Sequence, residues 1–147
     1  MLFMKRRLLP LLCLAALCAM AGIIWAQKSV PLATLPFSPG RLAGPTLYVS
    51  GQVPRTADGK DVRDSVEAET RQVMENLSRV LKQNGYGIDD VVNVTVYLKD
   101  ISDYAEMNKV YASYFKNGFP ARATVGGVEI VFGFRVEISC VAYRSGK

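Results

Sequence analysis

The stretch Phe119-Pro120-Ala121-Arg122-Ala123-Thr124-Val125 places one arginine at the start of a predicted strand, just after a predicted helix and a Gly-Phe-Pro turn. A guanidinium is almost never fully buried without a partner. Its planar fork suits bidentate capture of a carboxylate. Two readings of Arg122 follow: a substrate anchor if this strand end lines a cleft, or an ion-paired arginine at a strand edge.

Three further positions could do chemistry beside it. Glu137 falls mid-strand on the face opposite Val136, Ile138 and Cys140. It is either a carboxylate lining an intersubunit cleft and holding a water, or a strand glutamate paired with Arg135 or a cross-strand lysine. Asn108 interrupts an apolar helical stripe between Met107 and Val110, and reads as a cleft amide or as the solvated flank of the helix. Ser50-Gly51-Gln52 closes a strand with small residues. Gly51 there permits close backbone approach to a ligand, or merely ends the strand.

Composition removes several alternatives. The chain contains no histidine, which excludes Ser-His-Asp and Cys-His nucleophilic machinery and histidine-bearing zinc sites. Of the 3 cysteines, Cys13 and Cys18 lie in an N-terminal leader. Cys140 is then alone, makes no internal disulfide, and reads as inert core within an apolar strand.

The elements that must position these residues are legible as a β(β)αβαββ order. Pro31, Pro36, Pro39 and Pro45 mark a linker merging into an extended lead-in. Thr46 to Ser50 is a predicted strand stopped by Gly51, and Arg55 to Lys60 a polar loop with an Asp58-Gly59 turn. A helix follows, capped by Asp64 with Glu67 closing a box. Val66, Val73, Met74, Leu77, Val80 and Leu81 form its apolar stripe, Glu67, Glu69, Arg71, Glu75, Arg79 and Lys82 its polar face, and Gly85 its stop. Val91 to Leu98 is a β-branched strand. A second helix is capped by Ser102 or Asp103, with Glu106 boxing Asp103, and its stripe runs through Met107, Val110, Tyr111, Tyr114 and Phe115. Strands over Ala121 to Val131 and Phe134 to Ala142 complete the domain. Two amphipathic helices can cover one face of a single sheet, leaving the face with Arg135, Glu137 and Ser139 in need of a partner, which self-association supplies.

The chain of 147 residues opens with Lys5-Arg6-Arg7 and an apolar run from Leu8 to Ala26. A basic segment, an apolar core and small residues at its end describe a secretory signal over residues 1–26, with cleavage after Ala21 or Ala26. The run is also near the lower limit for a membrane span, so an uncleaved N-terminal anchor is the alternative. Leu17 before Cys18 does not fit a lipoprotein site. Either way the charge pattern places the domain outside the cytoplasmic membrane, periplasmic or extracytoplasmic. Residues 27–35 form a linker and 36–147 the domain. Removing residues 1–26 takes away three basic residues and no acid, so the formal charge falls from +5 to +2. No basic block remains, which argues against a nucleic-acid surface.

Together these residues resemble the Rid family, the reactive-intermediate or imine deaminases once called YjgF-type proteins. The resemblance covers about residues 36–143 and rests on several ordered motifs. They are Leu47-Tyr48-Val49-Ser50-Gly51-Gln52-Val53-Pro54, Thr70 to Leu77, Asp89 to Asp100, Met107-Asn108-Lys109-Val110-Tyr111, Phe119-Pro120-Ala121-Arg122 and Val136-Glu137-Ile138. It implies an α+β, chorismate-mutase-like fold: a single mixed sheet with two helices on one face, three copies closing a barrel with clefts between subunits. It implies hydrolysis of 2-enamine/2-imine acids to 2-oxo acids and ammonia, with no metal or organic cofactor. Arg122 would grip the substrate carboxylate, Glu137 would position or activate water, and Ser50, Gly51 and Asn108 would line the cleft. Phe37 stands where deaminases commonly carry an aromatic hydroxyl, Thr124 where a cysteine is common, and Ile130-Val131-Phe132 where a Leu-Pro pair is usual. These departures bear on the cleft wall and so on substrate choice. A non-catalytic binder of carboxylate metabolites and a chaperone-like trimer of the same fold are the alternative functions.

The leader predicts that cell fractionation finds the domain outside the cytoplasmic membrane, released if cleaved and membrane-bound if not; full-length protein recovered in the cytoplasm would contradict it.

Overall fold

The computed structural model describes residues 36–145, so the leader and the 27–35 linker lie outside the described residues. The chain runs β1 (Gly40–Ala43), β2 (Thr46–Gln52), α1 (Val66–Gln83), β3 (Val91–Leu98), α2 (Tyr104–Ala112), β4 (Ala121–Gly126) and β5 (Val136–Tyr143). The strands form one five-stranded sheet in the order β1-β2-β5-β3-β4. β3 and β4 are parallel and the other neighbours antiparallel. Parallel neighbours need a crossover, which α2 supplies. This is the expected mixed sheet with two helices on one face.

Strand alternation decides which side chains meet the helices. Val94, Val96 and Leu98 of β3 and Val136, Ile138, Cys140 and Ala142 of β5 are buried, as are Leu47 and Val49 of β2. They pack with Val73, Met74, Leu77, Val80 and Leu81 of α1 and Met107 and Tyr111 of α2 in one core cluster. Cys140 sits among them, and burial pushes its thiol up to about 12, as befits an inert core residue.

Helix α1 differs from expectation at two places. Its cap is Ser65 rather than Asp64: the Ser65 side chain accepts the Ala68 N–H at 3.2 Å, worth about 1 kcal/mol. Gly85 (φ +81°) ends it as expected, with Tyr86 N–H donating to Leu81 O and Gly85 N–H to Lys82 O. Glu69, expected on the polar face, is only 2% exposed. Its carboxylate accepts the Arg135 N–H at 2.8 Å and so holds the residue that leads into β5.

Elsewhere three elements are shorter than predicted. α2 ends at Ala112, and Tyr114 and Phe115 continue its stripe from turns, the Phe115 ring lying 4.8 Å from that of Tyr111. The predicted Asp103–Glu106 box does not form. Asp100 instead accepts the Ser102 N–H, Asp103 pairs with Arg135 at 3.2 Å, and Glu106 pairs with Lys109 at 2.7 Å. β4 stops at Gly126 because Gly127 (φ +75°) turns the chain. β5 begins at Val136, after a turn in which Phe132 adopts φ +60°, a left-handed conformation costly for a bulky residue. That turn is clamped: Arg63 donates to Phe132 O at 2.9 Å, and the Arg55 guanidinium lies 4.3 Å from the Phe132 ring centroid. Arg135 therefore precedes the strand and is not part of its open face.

Asn76 is the other buried polar group of α1, at 3% exposure. Its amide donates to Val53 O (2.9 Å) and Arg55 O (2.8 Å) and accepts from Gln72 and Arg79. It thereby pins the chain leaving β2. Asn76→Ala strands the Arg55 carbonyl and leaves Val53 O with only the Arg55 N–H, and should lower the unfolding free energy by about 1–3 kcal/mol, read from chemical denaturation; a loss below about 0.5 kcal/mol would mean water replaces the amide freely.

Candidate functional site

Arg122 lies on β4, an edge strand, in register with buried Val94 of β3. Register partners share a face, so Arg122 points to the helix-covered side, where α2 overhangs the sheet edge. Its guanidinium lies 4.6 Å from the Tyr111 ring centroid and 5.7 Å from that of Tyr104. One nitrogen, Nη2, donates to the Tyr104 hydroxyl at 3.2 Å. Stacking on a buried aromatic holds the plane of the fork while leaving most of its N–H groups unused. Asn108 stands one helical turn after Tyr104. Its side chain first, then the positive charge of Arg122, holds the Tyr104 phenol below the usual tyrosine range. Burial does the reverse for Tyr111, whose hydroxyl has no hydrogen-bond partner.

Glu137 lies on β5 in register with Tyr97, between buried Val136 and Ile138, and so points to the open face. There it forms the wall of an open cavity of about 420 Å³ with Gly51, Tyr97, Ser139 and the Val128–Glu129–Ile130 segment. β2 carries a register shift against β5 between Val49 and Gln52. Gly51 sits at this irregularity directly under the glutamate: a methyl group there would approach Glu137 Cδ to 2.8 Å. The lining holds two carboxylates, Glu129 and Glu137, and no cation. Burial alone raises the Glu137 carboxyl above its ordinary value.

The two principal candidates thus occupy opposite faces. They are two strand spacings apart, about 10 Å, and offset by three residues along the strands, again about 10 Å. Asn108 belongs with Arg122. Thr124, two residues further along β4 and level with Val96, points to the same side. Gly51 belongs with Glu137. Ser50 lies outside the cavity wall, its hydroxyl donating to Pro39 O at 3.2 Å. Phe37, 55% exposed, stands two residues before Pro39 in the lead-in tied down by that bond. Sequence reasoning passed over Tyr97, Tyr104 and Tyr111. The signal for Tyr104 was its spacing of four from Asn108, which puts both side chains over one patch of helix surface.

The sequence and the fold are shared with known proteins. A family described as Endoribonuclease L-PSP matches residues 27–144. A RutC family protein of Pyrococcus horikoshii is 39% identical over 126 residues, covering 85% of this chain and 99% of the relative. The chain belongs to the Rid family. Human 2-iminobutanoate/2-iminopropanoate deaminase is 38% identical over 120 residues, 81% of this chain and 88% of that one. The solved structure of RidA from an Antarctic Psychrobacter superposes with a TM-score of 0.73 at 32% identity, covering 78% of this chain and 94% of its own. The Rid fold is the chorismate-mutase-like arrangement expected from the motifs.

For this Rid protein the raised Glu137 value has a defined sign. The folded state holds the proton more tightly than the unfolded chain, so the contribution to stability is full below the ordinary glutamate value of 4.5 and is lost as pH rises through the folded value. Carboxyl-carbon NMR should find Glu137 titrating above 4.5. Gly51→Ala, which displaces the side chain toward solvent, should return it toward that value; an unshifted Glu137 in the unmutated protein would contradict the desolvated geometry.

Proposed function

We propose that this Rid protein is a hydrolytic deaminase of 2-imino and 2-enamino acids, assembled as a homotrimer whose site forms between copies. The observation that carries the reading is the division of the site. A stacked guanidinium with unused donors stands on one face of the sheet, and a half-buried, unpaired carboxylate over Gly51 on the other. One chain cannot present both to a small molecule. A second copy laid against the open face would bring its Arg122 to the cavity that holds Glu137, and supply the cation this cavity lacks. Tyr48, Val125 and Tyr143 leave that face apolar and exposed, which favours its coverage. The human relative's name supports the substrate class.

In this reading Arg122 binds the substrate carboxylate bidentately. A water held by Glu137 attacks C2 of the imine; the carboxylate takes one water proton and returns it to the nitrogen that receives the C=N electrons, giving the carbinolamine. Glu137 then takes the C2 hydroxyl proton and passes it to the amino nitrogen, which leaves as ammonia as the 2-oxo acid forms; enamines enter by protonation at C3. An imine carbon is already electrophilic, so anchoring and an oriented water suffice. The family description names an endoribonuclease, but a single guanidinium flanked by tyrosines suits a small carboxylate better than a phosphodiester chain, which asks for a basic track. The leader supports action outside the cytoplasmic membrane, on imines formed there by amino-acid oxidation.

Arg122→Ala should lower the specificity constant on freshly generated imino acids by roughly 30- to several-thousand-fold, the cost of removing one partner of a desolvated pair. Arg122→Lys should also fail because the fork is lost. Glu137→Gln should retain 2-oxo acid binding and lose turnover. Co-expressing Arg122→Ala with Glu137→Gln should restore about a quarter of the unmutated turnover, since random mixing leaves one interface in four with both native residues. No restoration in mixed trimers, or a monomer by light scattering, would sink the intersubunit site.

A further inference from the structure

We infer that Tyr104 is a further substrate-contacting residue, its hydroxyl donating to the heteroatom on C2 of the bound acid: the imine nitrogen of substrate, the keto oxygen of product. The inference rests on the carboxylate-anchor reading of Arg122 and adds a contact to it.

A guanidinium has donors only, so in the 3.2 Å bond between Arg122 Nη2 and Tyr104 the phenol oxygen is the acceptor. The phenol's own proton is therefore directed elsewhere. Among the described residues no acceptor receives it, and Tyr104 is 42% exposed, so it points into open space beside the fork. The guanidinium also lies 4.6 Å from the Tyr111 ring centroid, so two rings of one helix hold it in place.

Geometry then selects the contact. A carboxylate oxygen taken by the second N–H of Nη2 lies about 5 Å from the Tyr104 oxygen, because the two N–H directions diverge by roughly 120°. That is too far for a direct bond between phenol and carboxylate. A 2-imino or 2-oxo acid carries a second acceptor on the adjacent carbon, and this atom fills the gap. The hydroxyl therefore reads the C2 heteroatom, and distinguishes a 2-oxo or 2-imino acid from a plain carboxylate. The Tyr104 phenol, held below the usual range by Asn108 and Arg122, is the stronger donor for it.

The test is calorimetric titration of the full assembled protein and its Tyr104→Phe variant with 2-oxobutanoate and with butanoate, which lacks the C2 acceptor. Tyr104→Phe keeps both rings around Arg122. The variant should bind 2-oxobutanoate roughly 5- to 30-fold more weakly and butanoate unchanged, with an unaltered melting temperature. Equal weakening of both ligands would show that Tyr104 only positions Arg122, and unchanged binding of both would show no role; either overturns the inference and leaves the anchor reading standing. Failure of both ligands to bind the unmutated protein would instead remove the anchor, and this contact with it.

Discussion

β5 hands alternate side chains to two environments. Val136, Ile138, Cys140 and Ala142 go beneath the helices, while Glu137, Ser139 and Val141 face outward. β3 does the same beside it and in register, so the whole sheet has one covered face and one open face. Because a strand repeats every two residues, no side chain can change face without moving its neighbours out of the core. The faces of Glu137 and Arg122 are therefore set by core burial, and their separation is a consequence of the packing rather than a local arrangement of loops.

The backbone beside Glu137 is held from behind by buried polar groups of α1. Glu69 and Asn76 replace apolar residues at stripe positions of α1. Each spends its buried polarity on backbone that the sheet cannot pair: the Arg135 N–H before β5, and the carbonyls of Val53 and Arg55 after β2. Burial without such partners would be prohibitive. With them, the two chain segments flanking the Glu137–Gly51 cavity are tied to the most deeply packed helix. Arg55 and Arg63 do a similar service for the Phe132 turn, which follows the Val128–Ile130 wall.

Arg122 is held differently. Its partners are rings and a phenol oxygen rather than a carboxylate. An ion pair would have satisfied the guanidinium and left little for a ligand. Aromatic faces orient it while leaving its hydrogen-bonding capacity open. The contrast with Arg144, which binds Asp90 and Gly85 O, separates an arginine closed by an ion pair from one whose donors stay largely open.

The element order and the two amphipathic helices were legible in the chain alone, because 3.6- and 2-residue periods and turn residues are local properties. So was the family, from ordered motifs. Glu69 was misplaced on the polar face, although its spacing of three from Val66 and four from Val73 puts it on the buried stripe; charge outweighed position in that reading. Ser65 displaced Asp64 as cap, and Asp103 left its expected box to meet Arg135, because competing donors and acceptors were close in sequence and only three-dimensional neighbours chose between them. The strand order β1-β2-β5-β3-β4, and with it the assignment of Arg122 to one face and Glu137 to the other, required the tertiary structure. A period of two says that a strand has two faces. Only long-range pairing says which strands share them, and which of a chain's candidate functional groups the sheet keeps apart.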